Sequence, residues 1–184
     1  MLRALDVFAR CVDALNERIG RAVAWLTLAM VLIAFLVVVL RYVFSVGFVW
    51  LQESYVWMHG AVFMLGAGYT LLHDGHVRVD IFYREASPRF KAWVDLSGVC
   101  VLLAPMLITV WVGAMPYVRS SWMALEASRE AGGLPGLFLL KTIILVFCAL
   151  LGLQGLSLAA RSLLTLLSGE ADNAGTAKAK DTLR

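Results

Sequence analysis

The sequence predicts an all-α integral membrane protein: four transmembrane helices with both ends in the cytoplasm, preceded by an amphipathic helix on the cytoplasmic surface. Three observations predict it. Hydrophobic residues make up 61% of the 184 and charged residues only 16%, where a soluble domain carries about 25% charged. Four long runs contain no Asp, Glu, Lys or Arg. The sixteen Lys and Arg residues are divided unequally between the two sides that those runs define.

The runs are Ala22 to Leu40, Ser54 to Leu72, Leu96 to Val118 and Thr142 to Ala160. The shortest has 19 residues. At about 1.5 Å per residue it matches the roughly 30 Å hydrocarbon core of a bilayer. Only helices and closed barrels satisfy their backbones in lipid. Barrel strands are shorter and alternate in polarity, so these runs are helices. They define a membrane domain over residues 22–161.

Orientation follows from the basic residues. Arg3, Arg10, Arg18 and Arg21 precede the first run. Arg78, Arg84, Arg89 and Lys91 lie between the second and third, and Arg161, Lys178, Lys180 and Arg184 follow the fourth. The other side holds only Arg41, Arg119, Arg129 and Lys141. Positive charge marks the cytoplasmic side, so the ends are inside. Trp25, Trp50, Trp57, Trp93, Tyr117 and Trp122 fall near run ends, as interfacial aromatics do.

Residues 1–21 place Leu5, Phe8, Val12, Leu15 and Ile19 at helical spacing, with most charges opposite. They form an amphipathic helix on the membrane surface or against a partner protein. The first run ends in Arg41-Tyr42-Val43-Phe44 without a small-x-small site, and is read as an anchor rather than a leader. The tail 168–184, small and polar, is expected to be disordered. Ser87 and Pro88 read as an N-cap followed by the first helical position. Pro105 is expected to bend the third span.

Chemistry finds little purchase in this pattern. The net charge of +3 is dispersed, so no nucleic acid is expected as a partner. Cys11, Cys100 and Cys148 have no metal-ligand spacing. His73 and His76, beside Asp74 and Asp80, lack a third placed ligand. No phosphate loop or nucleophile elbow occurs, so neither an enzyme nor a cofactor or metal is indicated. Within the runs, His59 and Gln154 are the strongly polar exceptions. Both are read as contacts between helices; a proton relay or haem ligand is the functional alternative for His59. Gly66-Ala67-Gly68 would let helices approach closely, and Gln154 sits between Gly152 and Gly155. Glu53 and Arg41, at neighbouring span ends, are expected to pair as a staple or to offer a docking surface. The outer link Trp122 to Pro135 is too polar for lipid and ends in a Gly-Gly-x-Pro turn.

Several of these residues occur in an order that resembles the small membrane subunit of TRAP transporters, the DctQ-type small permease. They are Arg41-Tyr42-x-Phe44, Trp50-x-x-Glu53, Gly75-His76-Val77-Arg78-Val79-Asp80, Trp122-x-x-x-Glu126-x-Ser128, Gly132-Gly133-Leu134-Pro135 and Gln154-Gly155. The resemblance spans about Leu26 to Ala160. It implies a multi-pass protein of the bacterial inner membrane, surrounded by membrane lipid, without catalytic activity. It also implies two protein partners: a large multi-span transport subunit that carries substrate and sodium, and a periplasmic substrate-binding protein that delivers an organic acid, usually a carboxylate. On this reading the small subunit scaffolds the large one. Arg41, Glu53, Glu126 and Arg129 become candidates for the periplasmic docking face. Two other functions compete: a stand-alone oligomeric small transporter, and a haem- or quinone-binding anchor of a redox enzyme. Four-span exporters of the first kind carry a membrane-embedded acid, absent here. The second needs histidines on facing helices, and His59 is alone at depth.

Overall fold

The computed structural model describes residues 2–77 and 83–181, with side chains described for 3–77 and 83–168. The described residues form helices and no strands. In chain order these are α1 (Leu2–Tyr42), α2 (Val49–Leu65), α3 (Ala67–Leu72), α4 (Pro88–Ser97), a π-helical turn (Gly98–Leu103), α5 (Ala104–Met123) and α6 (Leu137–Asp181).

Among the described residues, three helical stretches are long and apolar enough to cross a membrane: Arg3–Tyr42, Pro88–Met123 and Leu137–Ser168. The second expected span, 54–72, is divided at Gly66 into α2 and α3. The backbone ladder nevertheless continues through the division. Gly66 N–H donates to the Val62 carbonyl at 3.0 Å, and Thr70 N–H donates to the Gly66 carbonyl at 2.9 Å. A Cβ at residue 66 would sit 2.7 Å from the Val62 oxygen, so glycine admits the tightened turn that splits the span.

No turn separates residues 1–21 from the first apolar run; α1 is one helix of 41 residues. Its buried face holds Ala9, Val12, Asn16, Gly20 and Val23, spaced by three and four. Of the expected apolar stripe, Phe8 and Leu15 stay exposed. The N-terminal half of α1 thus carries two separate faces: a small and polar one against its own chain, and an apolar one turned outward.

At the start of the stretch Pro88–Met123, Ser87 caps α4 by accepting from Phe90 N–H at 3.3 Å, with Pro88 next. The bend expected at Pro105 takes the form of the π turn just before it. Proline has no N–H to give the carbonyl four residues earlier, at Val101. Widening the preceding turn absorbs that loss. Pro116 lies inside α5 without ending it.

α6 is the axis of the fold. It touches α1, α2, α3, α4, the π turn and α5, while α1 reaches only α2, α3 and α6. α2 and α5 do not touch. Leu107, Cys148 and Leu151 form the buried centre, joined by Leu103, Val110 and Phe147. Trp25, Leu28, Leu32 and Phe35 of α1 face outward, as lipid-facing side chains do. The backbone of α6 is helical to Asp181; the side chains of residues 169–184, where the disordered tail is expected, lie outside those described. Arg78, Val79 and Asp80 of the Gly75-to-Asp80 motif also lie outside the described residues.

Candidate functional site

Polar side chains gather in two groups. One lies at the hairpin end of the molecule, where the links 43–48 and 124–136 sit. The other lies toward the terminal end, where α1 begins and α6 finishes.

At the terminal end, Asp13 and Asn16 stand one turn apart on α1, and Gln154, Ser157 and Arg161 stand at the same spacing on α6. Helical periodicity puts each set on one face, and the two faces meet. Gln154 Nε2 and Ser157 Oγ each donate to Asp13 Oδ1 at 2.9 Å. Arg161 Nη2 donates to Asp13 Oδ2. Asn16 Nδ2 donates to Gln154 Oε1 at 2.8 Å. Asn16, Gln154 and Ser157 are buried, so their donors depend on these partners. Asn16 Oδ1 is buried without a hydrogen-bond partner among the described residues and faces α3, where a Cβ on Gly68 would lie 2.2 Å from it. A Cβ on Gly20 would likewise collide with the Tyr69 ring at 2.3 Å. Glycine on both helices therefore permits the close packing of α1 on α3. Beside this clasp, Glu17 takes 2.6 Å bonds from Arg21 and His73. The His73 bond, then that of Arg21, holds the Glu17 carboxyl below its usual range.

At the hairpin end, Glu53 does not pair with Arg41. Its Oε1 accepts from Ser128 Oγ and its Oε2 from Leu134 N–H at 2.6 Å. Glu53 lies one turn inside α2 and faces the 124–136 link. Arg41, exposed at the end of α1, has no ion pair among the described residues. Gly133 allows this closure, because a Cβ there would come within 2.5 Å of Ser128 Oγ and 2.8 Å of Glu53 Oε2. Gly132 and Gly136 hold positive φ angles of 77° and 94°, where glycine is unstrained.

Glu126 accepts from Ser121 Oγ at 2.7 Å and from Lys141 Nζ. The Lys141 ammonium stands 4.0 Å from the centre of the Tyr117 ring. Lys141, then Ser121, holds the Glu126 carboxyl below its usual range. Glu126, then Tyr117, raises the Lys141 ammonium above its own. Trp122 Nε1 donates to Thr142 Oγ1 at 2.8 Å. The link is thereby strapped to α2, α5 and α6.

Arg129 is exposed and has no ion pair among the described residues. Among the described residues, His59 makes no hydrogen bond to another helix. It is exposed and borders a cavity of about 660 Å³ with Glu126, Arg129 and Lys141. Arg41, Glu53, Glu126 and Arg129 thus share one end; Glu53 and Glu126 accept hydrogen bonds there, neither from an arginine, and Arg129 acts on Glu126 through its charge. Gln154 sits in the other group. Asp13 and Asn16, unmarked by sequence reasoning, are its centre. The available signal was Asn16, a buried amide in line with Ala9, Val12, Gly20 and Val23.

Neither group has the arrangement of a catalytic site. Among the described residues, no three His, Cys, Asp or Glu side chains are grouped to hold a metal ion. What the arrangement does chemically is to fix helices to one another. Among known families, the one described as "Tripartite ATP-independent periplasmic transporters, DctQ component" matches residues 30–165. No curated protein and no solved structure matches the chain.

Proposed function

The chain belongs to the DctQ family of tripartite ATP-independent periplasmic transporter components, and from that premise we propose that it is the scaffold of a sodium-coupled organic-acid importer. In this reading four spans cross the inner membrane, with α2 and α3 together making the second and both ends in the cytoplasm. The chain braces a large multi-span subunit that carries solute and ion. A periplasmic binding protein docks at the hairpin end.

One observation carries the reading. The four apolar runs hold no Asp, Glu, Lys or Arg, and Asp13, Asn16, Gln154, Glu53 and Glu126 near their ends are spent on bonds that tie the helices and the 124–136 link together. A charged solute would find no stabilising group along these spans. Helices clasped at both ends make a stiff wall for a moving neighbour. The exposed apolar side of residues 1–21, with Phe8 and Leu15, suits the cytoplasmic interface.

Within the docking face, the geometry favours dividing the labour. Glu53 and Glu126 hold the link in shape, whereas Arg41 and Arg129 are the cations left to meet acidic groups on a binding protein. Reversing both charges, Arg41→Glu with Arg129→Glu, should lower binding-protein-dependent uptake in proteoliposomes holding the complete transporter. Protein yield and melting should stay unchanged. Unaltered uptake would remove the docking role. Accumulation of an organic anion by this chain alone would remove the scaffold role.

A further inference from the structure

α3 is a short helix with a tightened turn at one end and a link at the other. The turn at Gly66 sets it off from α2. Beyond Leu72 the chain closes on itself, with Gly75 N–H donating to the Thr70 carbonyl at 2.8 Å. Between these ends α3 rests on α6 and α1. Two of its contacts with α1 are steric: Gly68 against Asn16, and Tyr69 against Gly20. The third is polar and lies at the far end of α3, where His73 Nε2 stands 2.6 Å from Glu17 Oε2.

The surroundings of His73 favour the imidazolium over the neutral ring. It caps the C-terminus of α3, where the helix dipole is negative and attracts a cation. Its ring packs on Tyr69 with centroids 4.4 Å apart, and an aromatic face attracts positive charge. A carboxylate also accepts a stronger bond from a charged donor than from a neutral one. The opposing charge is Arg21, which bonds the other Glu17 oxygen at 2.6 Å. The carboxylate therefore lies between two cations, each on its own oxygen. Glu17 stays ionised through the histidine range, because the His73 bond, then that of Arg21, holds its carboxyl low. Other titratable groups come from each neighbouring element. α6 brings Arg161, bonded to Asp13 of α1; its Lys141 and Cys148 lie nearer the hairpin end. α2 brings Glu53, Tyr55 and His59, all toward the hairpin end. Arg18 of α1 is exposed beside Glu17, and the link after α3 carries Asp74 and His76.

We propose that His73 and Glu17 form a proton-operated latch between α1 and α3: a proton taken up by His73 tightens α3 against α1, and its loss frees α3 to swing about Gly66. The latch goes beyond the scaffold function and does not rest on it; the proposed orientation says only that the sensed compartment is the cytoplasm. Imidazole is the side chain that ordinarily changes charge between about pH 5 and 8. Of the three histidines, His73 is the one whose ring bonds another helix among the described residues. Protonation and closure favour each other, so the latch holds in acid and slackens as pH rises through the histidine range. The His73 side chain is 49% exposed, which keeps the effect modest.

Hydrogen exchange of the α3 backbone amides, in the full chain held in lipid nanodiscs, tests the latch across about pH 5 to 8 once the intrinsic pH dependence of exchange is removed. Opening of residues 67–73 should be about three- to tenfold rarer at the acid end. His73→Gln keeps a donor but cannot be charged, and should make opening independent of pH. His73→Lys carries a lasting cation and should hold α3 closed throughout. His76→Gln should leave the response intact. A flat response in the unsubstituted chain overturns the latch. So does a response that survives His73→Gln or vanishes with His76→Gln. Glu17→Gln removes the partner and leaves the ring in place, so it keeps the question open to measurement if the His73 variants fold poorly. It should weaken the response, and an undiminished one overturns the latch. The chain is measured alone, so failure here leaves the scaffold function standing.

Discussion

Removing the Asp13 carboxylate by Asp13→Ala takes one acceptor from three donors at once. Gln154 Nε2 and Ser157 Oγ lose a 2.9 Å bond each. Gln154 is only 4% exposed and Ser157 0%, so water cannot readily replace the carboxylate. An unsatisfied buried donor costs about 1–3 kcal/mol. Ser157 has a fallback at the Ala9 carbonyl, 3.4 Å away, so its loss lies at the low end. The Arg161 side chain is 55% exposed, which limits its share to about 0–1 kcal/mol. The sum is about 2–5 kcal/mol, with Gln154 the largest contributor. The same reasoning gives a second, less obvious result. Adding Ser157→Ala to Asp13→Ala removes one orphaned donor and should recover the smaller part of the loss, because an apolar contact carries no unmet bond, whereas Gln154 has to stay because its Oε1 accepts from the buried Asn16 amide. Equilibrium unfolding in mixed micelles, followed by tryptophan fluorescence, measures both. An Asp13→Ala cost under about 0.5 kcal/mol, or an Asp13→Ala/Ser157→Ala variant less stable than the single one, would refute the reasoning.

Three further predictions concern other contacts. Gly68→Ala should destabilise by about 1–3 kcal/mol, since its methyl meets the immobilised Asn16 amide; the same unfolding assay should find Gly60→Ala nearly neutral. Glu53→Gln should speed proteolysis of the 124–136 link, because one oxygen that accepts from Ser128 or Leu134 N–H becomes a donor; an unchanged cleavage rate would argue against the strap. The Glu126–Lys141 pair makes stability depend on pH at both extremes. Glu126 sits below its ordinary 4.5, so its contribution is present above that value and is lost as pH falls through the lower folded one. Lys141 sits above its ordinary 10.5, so its contribution is present below that value and is lost as pH rises through the higher folded one. Thermal melting should be flat with respect to this pair between those limits and decline outside them. Glu126→Gln should weaken the acid-side decline, and an identical profile in that variant would contradict the assignment.

How far the molecule could be read from its residues depended on the range of the interaction. Uninterrupted apolar runs report local burial or lipid contact, and they located the long helices well. The Ser87-Pro88 cap is also local, and it stands where expected. Gly66 was visible as a site of close approach, but its division of the second apolar run depends on the path of the Val62 carbonyl. The unity of α1 was hidden because residues 1–21 change composition without changing conformation. Long-range pairings were the least legible. Glu53 has Arg41 as a plausible neighbour in sequence, but it meets Ser128 and Leu134, 75 and 81 residues away. Asp13 looked like one more solvated charge on an amphipathic helix. Only the crossing of α1 and α6 shows that it faces Gln154 and Ser157.

α6 is gripped at two places along its length, by Glu126 and Trp122 near its start and by Asp13 and Asn16 further along. Lys141 and Gln154 are 13 residues apart, or roughly 20 Å of helix. A cylinder held at one point can still roll about its axis; one held at two, from different sides, has lost that rotation. The strip of Leu140, Ile144, Phe147 and Leu151 therefore keeps a constant bearing, set by polar grips at both ends as well as by the packing of Phe147 and Leu151 in the core.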